Sequence, residues 1–357
     1  MLTDLKYIDD DVFEQIKNYT IDSNDLYLTI AGTIGSVGII PKEVSGMNLT
    51  ENAAKLTNIS CVKEYLLYAL LSSTAQEHFT SKFHQVAQPK LSIETASTTP
   101  IALPPINEQI RIVSEIERTL KLIDGINNNK NELQTAIKQA KRKILDLAIH
   151  GKLVPQEPND EPASELLKRI NPKAEITCDN PQYGKLPKGW CLILGKDLYK
   201  PMKSAKPKGL VFKYIDIDSI DSSKQCVDCV KVVRIENAPS RASRYTQKGD
   251  IVFSMVRPYL KNIAIVSEDE CIASTGFYIC SPSDVAISEY CYYLMISDYT
   301  VNGLNQFMKG DNSPSINKSN IDNWLFPIPP LSEQHRIAAK IEELFAQLDK
   351  IESSLQA

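Results

Sequence analysis

A stretch of 21 residues occurs twice: PPINEQIRIVSEIERTLKLID, ending at Asp124, returns as PPLSEQHRIAAKIEELFAQLD, ending at Asp349, 225 positions later. Solenoid units repeat at about 20–50 residues, so this period marks a duplicated domain. The same offset holds upstream, where Asp25 of DLYLTIAGTIGSVGII falls opposite Asp250 of DIVFSMVRPYLKNIAIV, and Pro89 of QPKLSI opposite Pro314 of SPSINKSNI. CVKEYLLYALLSS and YCYYLMISD occupy comparable places between those anchors. The helical tails look alike, while the segments before them share only pattern. Matched frames with divergent surfaces predict one job performed on two different ligands.

A chain of 357 residues exceeds a single core and predicts two or three domains. Its 43% hydrophobic and 24% charged residues are ordinary for a globular protein. No run of 18 apolar residues occurs, and the opening MLTDLKYIDDDVFEQ has no basic-then-apolar signal, so a cytoplasmic location is expected. Eight cysteines are too sparse for a disulfide scaffold; Cys226 and Cys229 form a lone CxxC, and the four histidines, His78, His84, His150 and His335, lack metal spacing. No metal site is expected.

Formal net charge is −4, yet 13 Lys and Arg face 6 Asp and Glu between Tyr199 and Asn262. The acids gather on the helices and in QEPNDEPASE, so different parts face different partners.

Residues 1–104 read as a first mixed domain, with a helix over 10–18, strands over 27–30 and 36–40, and a helix over 62–72. Gly32, Gly35 and Gly38 read as hairpin punctuation; no long helix follows to make a dinucleotide fingerprint. Residues 105–150 form a first long helix, capped by Asn107 with Glu108 in its first turn and a possible break at Gly125. Residues 151–186 form a linker with a short helix over 163–170, 187–328 a second mixed domain, and 329–357 a second long helix capped by Ser332. Apolar steps through Ile112, Ile116, Leu120, Ile123, Leu133, Ile137, Ile144 and Leu147, and through Ile337, Ile341, Leu344, Leu348, Ile351 and Leu355, describe narrow seams that most simply bury each other. The first helix would be roughly 60 Å long, the scale of a spacer. The repeat frame also puts the counterpart of Trp190 before Met1, so the first domain is expected to lack its opening.

Several strings in this order resemble the specificity subunits of type I restriction-modification systems: the two PPxxEQxRI helix starts, ILDLAIHGKLVPQEPNDEPASELLKRI, LPKGW, SRASRYTQKGDIVFSMVRPYLKNIAIV and YIDDDVFEQIKNYTIDSNDLYLTIAGTIGSVGIIP. The resemblance implies an α+β fold, with two target recognition domains separated by two long antiparallel coiled-coil helices. It implies that each domain reads one half of a bipartite site in double-stranded DNA, while the helices fix the gap and dock modification (methyltransferase) subunits, with restriction (helicase and nuclease) subunits as further partners. S-adenosylmethionine, ATP and Mg²⁺ would belong to those partners, with no cofactor in this chain. The incomplete first domain opens self-association as a further expectation, and a scaffold that docks modification subunits without reading DNA alone is the rival reading.

The densest basic and aromatic stretch supplies Arg241, Arg244, Lys248, Arg257, Tyr259 and Lys261 as candidate DNA contacts. Arginine suits bidentate contact with guanine and lysine suits phosphate, although a solvated strand edge protected by charge has the same composition. The polar loop with Lys309, Ser313, Ser315, Asn317 and Lys318, and the comparable Lys82, Gln88, Lys90 and Ser92, are further candidates that ordinary loop chemistry explains equally well. Glu108, Gln109 and Arg111, repeated as Glu333, Gln334 and Arg336, fit two equivalent subunit-docking patches, although Glu–Arg pairs three apart are also ordinary helix chemistry. No NPPY or DPPY string, no GxxxxGK[ST] loop and no evident nuclease or triad cluster occurs, so the chain reads as the reader rather than the catalyst.

Overall fold

Strands and helices recur at the 225-residue offset read from the sequence. The computed structural model describes residues 6–81, 89–177 and 183–355. Contacts divide the chain into two units, Met1–Asn129 and Lys130–Ala357.

In the first unit, α1 (Asp10–Ile16) leads through a 3-10 turn to β1 (Thr20–Ile21), β2 (Leu26–Thr29), β3 (Val37–Ile39), β4 (Met47–Asn48) and β5 (Ala53–Leu56). Alternating burial along Leu26, Tyr27, Leu28 and Thr29 makes β2 the centre of a β3-β2-β5 sheet, antiparallel on both sides. Then come α2 (Lys63–Leu71), α3 (Ser73–Thr80), α4 (Ile93–Ser97) and the start of α5 (Ile106–Ile149), which continues into the second unit from Lys130. Ser72 and Ser92 cap α3 and α4 by accepting from Ala75 N and Thr95 N. Leu26, Leu28, Leu70, Phe79 and Leu91 form the core.

The second unit opens with α6 (Ala163–Ile170), β6 (Ile176–Thr177), β7 (Cys191–Leu194) and α7 (Gly195–Leu198). Next are β8 (Val211–Ile215), β9 (Ile220–Asp221), β10 (Cys226–Val227), β11 (Lys231–Arg234), β12 (Ala242–Thr246) and β13 (Ile251–Ser254). They are followed by β14 (Ile263–Ile265), β15 (Cys271–Ser274), β16 (Phe277–Cys280), α8 (Ser288–Ile296), α9 (Asp298–Asn305), α10 (Lys318–Asp322), β17 (Leu325–Ile328) and α11 (Leu331–Ser354). Its sheets run β11-β8-β15-β12, β14-β13-β16 and β17-β7-β6, with a β9-β10 hairpin. Among the described residues, only β8 and β15 pair in parallel. Helices α8, α9 and α10 stand 225 residues after α2, α3 and α4, and Ser297 and Asn317 repeat the caps of Ser72 and Ser92. This is the expected α+β architecture.

The long helices differ from expectation in detail. α5 begins at Ile106 and α11 at Leu331, directly after each proline pair, so Asn107 and Ser332 lie inside the first turn and do not cap. Proline's fixed φ turns the chain straight into the helix, and Gln109 N and Gln334 N donate to Pro105 O and Pro330 O. Gly125 does not interrupt α5; a lone glycine costs about 1 kcal/mol, too little to break 44 residues of helix.

The seams meet only in part. Ile137, Leu145, Ala148 and Ile149 of α5 share the second unit's core with Ile337 and Ile341 of α11. Lys141 reaches Asp349 and Glu352, whereas Gln156 reaches Glu333, an antiparallel order. Leu120, Ile123, Ile126 and Leu133 of α5 are exposed.

Candidate nucleic-acid interface

Two loops of the second unit are tied together. Val256 bridges Ser315, Ile316 N donates to Met255 O at 2.9 Å, and Arg257 N donates to Pro314 O at 2.8 Å. Lys309 bridges Ser315 in turn. Arg257 and Lys261 both adopt left-handed backbone, φ 48° and 52°, on either side of a 3-10 turn at Pro258–Leu260. Non-glycine residues pay roughly 1–2 kcal/mol for that conformation. Its persistence here means the surroundings hold the turn.

Those holds are visible. Arg257 donates Nη2 to Asn312 O at 2.8 Å, and Lys261 donates Nζ to Ile296 O at 3.0 Å and Asp298 Oδ1 at 2.9 Å. Arg142 on α5 donates Nε to the other oxygen of Asp298 at 2.7 Å. Burial alone would raise the Asp298 carboxyl, but the bonds from Lys261 and Arg142 bring it below the usual carboxylate range. Lys261 is therefore an anchor of the turn. Arg257, Tyr259 and Lys309 are exposed on the tied loops, with Ser315 half-buried between them.

The remaining candidates spread along β12. Arg241 O accepts from Thr275 N, and the adjoining Gly276 O accepts from Met255 N, which places Arg241 at the end of β12 nearest the Arg257 loop. Arg244 is half-buried, and its Nε has no partner among the described residues. Lys248 is exposed beyond the far end, its backbone N donating to Asp269. Lys318 begins α10 and pairs with Asp322. The stretch is thus not one patch: the fold gathers Arg241, Arg257, Tyr259, Lys309 and Ser315 and sets Lys248 apart.

The first unit carries the same frame with different contents. Ala31 bridges Lys90, and Leu91 N donates to Ile30 O at 2.8 Å, each 225 positions before its counterpart. Gly32, φ 75°, occupies the position of Arg257, so glycine meets without penalty the backbone that arginine meets under strain. Sequence reading set the Gly32–Gly35 loop aside as punctuation; the Pro89 and Pro314 register was the signal that could have found it. Lys90 and Ser92 are exposed. Lys82 and Gln88 lie outside the described residues. Asp25 and Asp250 are the buried footings of both frames, accepting from Asp22 N and Gln247 N. Burial pushes the Asp250 carboxyl up.

The expectation of two equivalent, exposed docking patches needs correction. Gln109 is buried, accepting from Val62 N at 2.8 Å and donating to Pro104 O at 2.7 Å. Gln334 repeats both bonds with Ile287 N at 3.0 Å and Pro329 O at 3.0 Å, and adds Val285 O at 2.9 Å. These amides staple each long helix to its own unit. Glu333 is also buried, accepting from Trp190 Nε1 and Gln156 Nε2, both at 3.0 Å, and burial raises its pKa. Arg336 pairs with Asp160 at 2.7 Å rather than within its helix, and that bond raises its pKa. Glu108 and Arg111 are exposed and make no ion pair with each other or with any described residue. The two patches share a sequence but not an environment.

Among the described residues no group of His, Cys, Asp and Glu could hold a metal ion, and no helix is long and apolar enough to cross a membrane.

Two tied loops recur on a duplicated frame with different side chains, and comparison with known proteins gives the class. The family model described as "Type I restriction modification DNA specificity domain" matches residues 5–135 and 200–357. The chain belongs to that family. It is 24% identical to the type I restriction enzyme EcoAI specificity subunit of Escherichia coli, over 81% of this chain and 60% of that protein. Identity to the EcoEI specificity subunit of Escherichia coli is 26%, over 69% and 45%, and to the EcoDI specificity subunit of Escherichia coli 21%, over 96% and 75%. The chain thus spans about half to three-fifths of the length of the first two. A crystal structure of the HsdS subunit from Thermoanaerobacter tengcongensis aligns over 49% of this chain and 46% of its own, with 35% identity and a TM-score of 0.46.

Proposed function

We propose that this chain is a DNA sequence-specificity subunit of a type I restriction-modification complex. Each unit reads one half of a bipartite duplex target through its tied loops: Arg241, Arg257, Tyr259, Lys309 and Ser315 in the second, the Gly32–Gly35 loop and Lys90 in the first. The supporting observation is one bridge made twice, Ala31 to Lys90 and Val256 to Ser315, presenting glycine at one site and arginine at the other. Identical frames with different side chains suit the reading of two unlike half-sites.

In this reading α5 and α11 set the gap between half-sites and carry the modification subunits, and restriction subunits join that complex. Catalysis lies in the partners, which bind S-adenosylmethionine, ATP and Mg²⁺; this chain binds none of them. It acts in the cytoplasm.

Single-molecule sequencing of adenine methylation in cells with and without the chain tests this. A split motif that disappears on deletion is the expected result. Loss of no motif, or methyl transfer by the purified chain alone, overturns it.

A further inference from the structure

In the second unit β12 ends the β11-β8-β15-β12 sheet, and a strap, residues 203–208, lies along its outer side. Tyr245 N donates to Lys203 O and Ala205 N to Ser243 O, both at 3.0 Å, with Ser204 bridging Arg244 in antiparallel sense. Pro207 fixes its own φ and biases Lys206 towards extended backbone, so the strap runs on in the direction of Arg241 until Gly209, φ 86°, turns the chain into β8. Extended backbone sorts side chains by alternation. Ala205 and Pro207 are half-buried, Ala205 against the cluster of Phe212, Tyr214, Ala242 and Ile272, while Ser204, Lys206 and Lys208 are exposed.

The lysines around this strap have acids and those at its end do not. Lys196 pairs with Glu175, Lys200 with Asp284, Lys213 with Glu268, Lys224 with Asp221 and Lys231 with Asp216. Lys203 lines a small cavity with the buried Asp250. Lys206 and Lys208 make no ion pair with any described residue. On the neighbouring strand Arg244 is half-buried with its Nε unpartnered among the described residues, and Arg241 is exposed. Cations gathered on one sheet edge without paired carboxylates repel one another and are stabilised by an external anion.

We propose that Lys206 and Lys208, with Arg244 behind them, form a row that grips the phosphate backbone of duplex DNA beside the bases met by Arg241 and the Arg257 loop. The row rests on the DNA-reading function and adds two residues outside the basic stretch of 241–261. Lysine is a compact, hydrated point charge suited to phosphate rather than to a base edge. Two residues apart on extended backbone, the two lysines stand about 6–7 Å from each other along the strap, within the spacing of a strand that carries one phosphate per roughly 3.4 Å of axis. Such contacts carry no sequence information and instead fix the register of the protein on the duplex. Hydrogen bonding to β12 holds the strap against the strand that leads to Arg241, so grip and reading side chains move as one body.

The full chain, assembled with its modification subunits, is titrated against two labelled duplexes of equal length over a range of salt, one carrying the motif returned by methylation sequencing and one scrambled. Lys206→Ala combined with Lys208→Ala should weaken both duplexes alike and make the slope of log affinity against log salt shallower by about 1.8, about 0.9 for each lysine. The methylated motif keeps its sequence. Lys168→Ala combined with Lys173→Ala removes equal charge from exposed residues at and beyond the end of α6 and leaves the slope unchanged. An unchanged slope in the Lys206 and Lys208 variant, an equal fall in the Lys168 and Lys173 control, lost discrimination between the duplexes, or no salt-dependent binding by the native complex overturns the proposal. Should sequencing return no motif, the DNA-reading function fails on its own, and the scrambled duplex still decides the grip.

Discussion

Lys261 and Asp298 form an ion pair of 2.9 Å that fastens the Arg257 turn to the start of α9, and Arg142 of α5 closes on the same carboxylate. One acid thus joins a candidate reading loop to a long helix. Exposed pairs contribute about 0.2–1 kcal/mol each, so Asp298→Asn should cost about 1 kcal/mol in urea unfolding. The native carboxyl has a lowered pKa, so its stabilisation is complete above the unfolded-state value near ~4 and fades as pH falls through the native one. Urea midpoints between pH 3 and 6 should fall more steeply for the native chain than for Asp298→Asn.

Arg257 carries the sharpest functional prediction. Arg257→Gly relieves the left-handed backbone and should hold or raise stability by up to about 1 kcal/mol, while abolishing or broadening the methylated motif. A stable variant with an unchanged motif would remove Arg257 from the interface. For Lys309→Ala, if the contact is to phosphate, the slope of log affinity against log salt should shrink by about 0.9.

Gln334→Ala leaves Ile287 N, Val285 O and Pro329 O without partners, whereas Gln109→Ala orphans Val62 N and Pro104 O. Each unsatisfied buried group costs about 1–3 kcal/mol. Thermal unfolding should show both losses, with the larger at Gln334.

Glu333 runs the other way in pH. Its native pKa is raised by burial, so its contribution to stability is full below the unfolded-state value near ~4.3 and declines as pH rises through the native one. Glu333→Gln should flatten stability between pH 5 and 7 and be tolerated at pH 7. A steep loss at pH 7 would contradict the assignment of burial as the dominant influence.

The duplication made most of the frame legible, because helices α2, α3 and α4 recur as α8, α9 and α10 at the offset that the PPxxEQ strings declare. Sequence could not rank the basic residues. Lys261 and Lys318 look as available as Lys309 until Asp298 and Asp322 are seen beside them, acids 37 and 4 residues away. Gln109 and Gln334 read as surface because glutamine usually is; only the backbone groups waiting at Val62 and Ile287 show why both are buried. The caps at Asn107 and Ser332 failed because proline had already begun the helix.

The left-handed pair flanking Pro258–Leu260 has a consequence for discrimination. The turn is clamped by Asp298 through Lys261 and by Pro314 through Arg257 N. On the proposed DNA-reading function, mismatch would be rejected by stiffness: the wrong groove edge would meet an obstacle, and tolerance for near-cognate sites would shrink without any added attraction to the right one.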